Sequence, residues 1–279
     1  MIEIGKFNKL EVVRQSSFGY FLNAQTHNTN DDILLPNNNC NDTKIDVGDI
    51  VEAFIYRDSK DRLIATLKKP YALAFELACL KVVSVTKIGA FVDFGLERDL
   101  FVPLKEQNYS LIPGNKYLFY VYVDKTDRLA ATTFIDEYLE NTEDYIVGND
   151  VEGIVYGFQT NGSAMIAIEN KYRGVILKNE YFSKLTPGEI LKLRVKKHFE
   201  DGKMSLTPRK PPKDERLALE ETILEYLKDH NGFMPYNDKS SPEDIKSIFH
   251  QSKNYFKNAL GGLMKQNLIF QDKDGTHLK

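Results

Sequence analysis

A repeated hairpin pattern limits the folds open to this chain more than any other feature of its sequence. Residues 48–66 read GDIVEAFIYRDSKDRLIAT, and residues 114–132 read GNKYLFYVYVDKTDRLAAT. Both run from a glycine through an alternating apolar stretch to a polar turn, then to Asp-Arg-Leu and Ala-Thr. Residues 188–207, GEILKLRVKKHFEDGKMSLT, follow the same plan with one extra residue. Period-two alternation is the mark of a half-buried strand. The turns at Asp58–Asp61, Asp124–Asp127 and Glu200-Asp201-Gly202 each close a hairpin, the last with a tight Asp-Gly signature. Self-similarity of this kind implies small stacked units rather than one large core.

Further strands precede each hairpin. Ser17–Ala24, Lys87–Phe94 and the weaker Asn161–Ile166 are followed by the apolar runs Ile33–Pro36, Leu100–Pro103 and Val175–Leu177. About five short strands per unit, separated by turns, fit a five-stranded Greek-key barrel of the oligonucleotide-binding type. Closure of the sheet removes exposed strand edges. After the Pro-rich segment Pro208–Lys213, read as a stiff extended connector, the period becomes helical. Leu217, Ile223, Leu224 and Leu227 form a stripe that stops at Asn231-Gly232. Ser241-Pro242-Glu243-Asp244 is a capped helix start. A third helix over about 252–266 carries Phe256, Ala259, Leu260, Leu263 and Met264, and residues 268–278 form a hairpin wing. The expected fold is therefore mainly β with an α-helical C-terminal domain. Three tandem OB-fold barrels occupy 1–69, 70–135 and 145–208, and a winged helix-turn-helix occupies 213–279. The acidic run 136–144 reads as a short helical or extended linker.

Composition narrows the function classes. The net charge is −3, whereas proteins that live by neutralising duplex phosphates are usually basic. Single-strand binding remains open, because stacking on aromatics supplies much of its energy. Phe (17) and Tyr (15) are plentiful although Trp is absent. The two cysteines, Cys40 and Cys79, lack metal-type spacing, so neither a disulfide framework nor a metal site is expected. No cofactor is expected either. Five scattered histidines, no phosphate loop and no nucleophile motif argue against catalysis and a small-molecule substrate. The N-terminal residues do not read as a signal peptide, and no apolar run reaches the roughly 18 residues of a membrane span. A cytoplasmic monomer away from membranes is therefore expected.

The candidate binding face follows from alternation. On the middle unit's strand, Ala90, Val92 and Phe94 share one face, and Gly89, Phe91 and Asp93 the other. Asp93 prefers water, so Phe91 is expected on the outer face, where a base could stack on it. Phe21 is placed likewise beside Asn23, and the bare Gly89 would let a base or backbone approach closely. Taken alone, a strand aromatic is more often core than platform, and an Asp-x-x-x-Arg pair is usually a solvated surface ion pair.

Gly-Ala-Phe-Val at 89–92, Asp-Leu-Phe-Val-Pro at 99–103 and Asp-x-x-x-Arg at 124–128 resemble the S-one type RNA-binding domain. Three such units and a winged helix are similar in arrangement to the conserved virulence factor B family of bacterial RNA-binding proteins. The resemblance implies that Phe18 is a second stacking aromatic, lost in the middle unit to Ile88. It implies that Arg62 and Arg128 are basic contacts held by Asp58 and Asp124. In the third unit Lys203 takes the arginine position, Phe199 the aspartate position and Ala164 the phenylalanine position. That barrel is therefore expected to be a spacer, or to act through Lys192, Arg194, Lys196 and Lys197. By analogy with DNA-binding winged helices, Lys253 and Lys257, with Asn254 and Asn258, are candidate contacts on the third helix. The expected function is binding of single-stranded RNA in post-transcriptional regulation of translation or decay, with ribosome or decay proteins as further partners. The alternatives are a DNA-binding transcriptional regulator working through the winged helix, or a protein-binding adaptor.

Overall fold

The computed structural model describes residues 2–26, 28–209 and 212–279, without the side chains of Pro212 and Lys213. In the first barrel, β1 (Phe7–Ser16), β2 (Gly19–Leu22), β3 (Ile33–Pro36), β4 (Ile50–Arg57) and β5 (Leu63–Thr66) close in the order β1-β2-β3-β5-β4. The second repeats this order with β6 (Leu77–Val85), β7 (Gly89–Val92), β8 (Leu100–Pro103), β9 (Lys116–Val123) and β10 (Leu129–Thr132). The third does so with β11 (Asp150–Phe158), β12 (Ala164–Ile168), β13 (Tyr172–Ile176), β14 (Ile190–His198) and β15 (Met204–Thr207). In each, the third and fifth strands pair in parallel and close the barrel.

Alternation fills the interiors. Leu10, Val12, Leu22, Ile33 and Leu35 face inward in the first barrel, as do Leu80, Val82, Ala90, Val92 and Val102 in the second. Each long first strand bends at a bulge, between Val12 and Arg14, Val82 and Ser84, and Val155 and Gly157. A bulge re-aims the side chains beyond it. Gly19 and Gly89 hold φ of +154° and +157°, and a Cβ there would lie 2.2 Å from the Leu35 carbonyl oxygen and 2.3 Å from that of Val102. The close approach expected at Gly89 is thus made by the neighbouring strand's backbone and the Phe101 ring, not left open to a ligand.

The C-terminal unit comprises α1 (Pro212–Asp229), β16 (Phe233–Met234), α2 (Pro242–Phe249), α3 (Lys253–Lys265), β17 (Ile269–Gln271) and β18 (Thr276–Leu278). The Ser241 hydroxyl accepts from the Asp244 N–H at 3.1 Å, capping α2 as its sequence implied. The wing gains a strand that the hairpin reading missed, since β16 pairs with β18 in the order β16-β18-β17. Two stripe residues face solvent. Leu217 and Met264 are exposed, whereas Leu219, Ile223 and Leu227 fill the core at four-residue spacing. Leu217 lies two residues from Leu219, hence on the opposite side of the helix. The connector reading at Pro208–Lys213 falls in part on Lys210 and Pro211, outside the described residues; from Pro212 onward the chain is already helical.

The barrels are welded to one another. Phe54 and Tyr56 of β4 join the core of the second barrel, with Phe54 and Phe94 ring centroids 6.2 Å apart. A separate apolar seam joins the second and third barrels through Leu118, Ile135, Leu139, Ile154, Tyr156 and Ala167. The acidic run 136–144 is short-helical at its start, as expected, and is anchored to this seam. It makes a short 3-10 turn at Asp136–Tyr138, buries Leu139, and bridges to β13 where Glu140 N–H donates to the Lys171 carbonyl at 2.8 Å. Its charges hid the apolar residues that anchor it.

Ile154 is the natural place to test this weld. Ile154→Ala is expected to destabilise the protein by about 2–4 kcal/mol through lost burial and a residual cavity. A urea melt combined with limited proteolysis checks this, with early cleavage in the third barrel expected.

Candidate nucleic-acid interface

Strand register defines equivalent positions in the three barrels. Phe21 pairs with Arg14 and Leu34, Phe91 with Ser84 and Phe101, and Met165 with Gly157 and Val175. The third barrel's counterpart of the phenylalanines is therefore Met165. Ala164 matches the inward Tyr20 and Ala90 and is fully buried. The match read from sequence slips by one because Ser163, not a glycine, precedes the strand.

Alternation aims Phe21 and Phe91 outward, half-buried, beside Asn23 and Asp93. Phe18 is exposed and meets Phe21 edge-to-face at a centroid distance of 6.0 Å. The Arg14 guanidinium lies 3.4 Å from the Phe21 ring centroid and 3.6 Å from the Asp32 carboxylate. One side of Phe21 is thus covered, and the platform is an Arg14–Phe21–Phe18 composite. A guanidinium plane can itself carry a base. In the second barrel, Phe101 sits beside Phe91 at 5.2 Å and Ile88 is exposed at the Phe18 position. Phe101 was missed as a site residue. The alternation of Leu100 and Val102, both buried, already aims it outward.

These side chains line grooves. The first, about 1010 Å³, runs past Phe18, Phe21, Asp58, Asp61 and Arg62. The second, about 470 Å³, runs past Phe91, Phe101, Asp124 and Arg128. Of the arginines lining these grooves, Arg57, Arg62 and Arg128 are paired within the chain, while Arg98, in the second groove, forms no ion pair among the described residues. Arg62 donates to Asp58 through Nε at 3.0 Å and Nη2 at 2.6 Å, as the Asp-x-x-x-Arg reading expected. Arg128 departs from that reading. Asp124 is occupied by the backbone N–H of Arg128 and by Thr126, while the Arg128 guanidinium crosses to Asp61 of the first barrel. In return, Arg57 of the first barrel meets Asp127 of the second at 3.1 Å. Partial desolvation pushes both turn carboxyls up, but hydrogen bonds outweigh it and hold Asp58 and Asp124 below the ordinary carboxylate value. They stay charged at neutral pH.

The third barrel offers a different surface. Of the outward residues, Ala167 is buried in the seam with the second barrel, and the half-buried Met165 packs against that seam. A groove of about 640 Å³ remains at its turn, lined by Lys197, Phe199, Asp201 and Lys203. Lys203 pairs with Asp201 at 3.0 Å. Of the basic run, Arg194 binds Asp150 at 2.7 Å and Lys196 binds the buried Glu180 at 2.6 Å. Lys192 is exposed, and Lys197 lies over the Phe199 ring at 4.8 Å. Two of the four cations are thus committed to internal partners. On α3, Lys257, Asn254 and Asn258 are exposed, and Lys253 donates to the Lys239 carbonyl at 3.4 Å. The wing's Asp272 is engaged by His277 at 2.9 Å. Among the described residues no group of three or more His, Cys, Asp or Glu is placed to hold a metal, and no helix is long and apolar enough to cross a membrane.

Closed five-stranded barrels in series, followed by a winged helix, define a tandem S1-domain protein. Residues 4–68 and 76–134 match the S1 domain family, and residues 221–278 match the CvfB-like winged helix domain. The chain is 34% identical to the uncharacterized protein YitL of Bacillus subtilis, over 97% of this chain and 92% of that protein. It is 28% identical to conserved virulence factor B of Staphylococcus aureus, over 95% and 91% respectively. A crystal structure of a multidomain protein with nucleic acid binding domains from Streptococcus pneumoniae superposes with a TM-score of 0.53 at 27% identity, covering 99% of this chain and 98% of that one. The chain belongs to the conserved virulence factor B family.

One titration reports on the third barrel. Burial pushes the Glu180 carboxyl up, but Lys196 and the Thr207 hydroxyl outweigh it and hold it below its ordinary 4.5. A depressed folded pKa stabilises the fold above the unfolded value and loses that contribution as pH falls through the folded one. Between about pH 6 and pH 3, the melting temperature of wild type should therefore drop more than that of Glu180→Gln. Equal drops would remove Glu180 from the account.

Proposed function

We propose that the chain binds single-stranded RNA through the outer faces of its first two barrels, stacking bases on Phe21 with Phe18 and on Phe91 with Phe101. The single observation that carries this reading is the recurrence, at one register position in both barrels, of an outward half-buried phenylalanine beside a groove. The S1 domain match over both barrels supports it, as does the structural relative described as having nucleic acid binding domains. Neither matched family is an enzyme family, and we assign no catalytic role. Arg62 and Arg128 serve as contacts that must exchange an aspartate for a phosphate. Lys203 and the α3 residues Lys253 and Lys257 are secondary contacts. A regulatory role in translation or decay is the setting we favour. Duplex DNA is disfavoured, because α3 carries few free cations and the wing bears Asp272 and Asp274.

Stacking rather than charge should dominate the affinity. Counterion release contributes a salt slope of roughly 0.7 per phosphate neutralised on single strands. With Arg14, Arg57, Arg62 and Arg128 all partnered by carboxylates, a slope shallower than about −1.5 is expected for a short RNA. Phe21→Ala and Phe91→Ala should each weaken binding by about 1–3 kcal/mol, a roughly five- to hundredfold rise in Kd. Fluorescence anisotropy with single-stranded RNA at several salt concentrations, and with duplex DNA as control, measures both. A steep slope, unaltered variants or a preference for duplex would overturn the reading.

A further inference from the structure

The two grooves meet at the β4–β5 turn of the first barrel. Arg57 and Asp58 line both of them. Across this boundary the ion pairs are exchanged rather than local, since Arg57 reaches Asp127 and Arg128 reaches Asp61. Arg57 also donates to the Asp61 carbonyl, which ties the first barrel's turn to the pair. Beneath them lies continuous packing, in which Phe7 and Phe54 approach to 5.7 Å and Phe54 reaches Phe94. The segment joining the barrels is pinned as well. Ala74 N–H donates to the Gly5 carbonyl at 2.8 Å and Phe75 N–H to the Val121 carbonyl at 2.7 Å. No flexible tether separates the grooves.

From this geometry we infer that the first and second barrels form one continuous track for a single strand of RNA, with Arg57 as the residue that positions one groove against the other. The inference rests on the RNA-binding reading above and adds how the two barrels share a ligand. Arg57 is not among the residues implied by family resemblance. Its role is not legible in the sequence either, because its partner lies in the next repeat. The physical gain is effective concentration. A strand held in the first groove meets the second without a loop to order, so the second engagement is intramolecular. Loose barrels would dilute that gain over many orientations. The third barrel's groove, lined by Val175, Phe199 and Lys203, shares no lining residue with the other two and lies apart from this junction.

The test uses the full chain and fluorescent oligouridylates of increasing length, from about 4 to about 20 nucleotides, spanning the usual range for such barrels. Stoichiometry and Kd are read for wild type, Phe21→Ala, Phe91→Ala, Asp127→Arg and the swapped pair Arg57→Asp/Asp127→Arg. The expected result is two short oligomers per protein but one long oligomer, with long-oligomer affinity at least tenfold above short. Either phenylalanine variant should erase that advantage. Asp127, which lines neither groove, breaks the pair from outside the binding surface. Asp127→Arg should reduce the advantage while leaving short-oligomer Kd unchanged, and the swap should restore the ratio of long- to short-oligomer affinity. Two long oligomers per protein, each lost with only one phenylalanine, would overturn the track and leave the RNA-binding reading intact. An Asp127→Arg change that leaves the long-oligomer advantage intact, or weakens short and long oligomers alike, would remove the positioning role. Binding that ignores both phenylalanines would overturn the reading and the track together.

Discussion

The apolar welding of the second barrel to both its neighbours is the constraint on which the remaining features depend. A lone barrel would present its whole outer surface to water, and outward residues would be free to evolve as contacts. Here the outward side chains Phe54 and Tyr56 of the first barrel, and Ile154, Tyr156 and Ala167 of the third, are buried against the second. The weld decides which faces remain available. The phenylalanines of the first two barrels line grooves, while on the third barrel Ala167 is buried in the seam and the half-buried Met165 packs against it. Three copies of one fold thereby present different surfaces, although each keeps the same strand order and the same bulged first strand.

Electrostatics follow from the same arrangement. Each candidate arginine sits within reach of an aspartate, and the pairs at the junction of the first two barrels connect different repeats. Exposed pairs of this kind add little stability in water, so their value lies in orientation. They hold guanidinium groups beside the aromatic rings and offset the positive charge that would otherwise invite any polyanion.

Much of this was legible in the sequence, because period-two alternation is local. Phe21 and Phe91 face outward as the polar neighbours Asn23 and Asp93 implied, and the Asp58–Arg62 pair forms within a single turn. What was not legible depended on contacts between repeats. Arg128 turns away from Asp124 to Asp61, and Arg14 reaches the Phe21 ring only because a bulge shifts β1 by one residue. The third barrel's phenylalanine counterpart is Met165 and not Ala164, since Gly162 lies one residue before the position that Gly19 and Gly89 hold in the other barrels. That the acidic segment 136–144 is anchored was not legible, because its charges outnumber Leu139, the apolar residue it buries. An outward isoleucine at 154, where the other barrels carry Glu11 and Lys81, was the available clue that this barrel is packed against another.

The central claim is that RNA lies on the open faces of the first and second barrels. Ultraviolet cross-linking of a single-stranded RNA to the full chain, with the modified peptides sequenced by mass spectrometry, addresses it most directly. The account predicts adducts at Phe18 or Phe21 on β2 and its approach, and at Phe91 or Phe101 on β7 and β8, with none on β12. Adducts confined to α3, the wing or the third barrel would contradict it and transfer the binding surface to the C-terminal half.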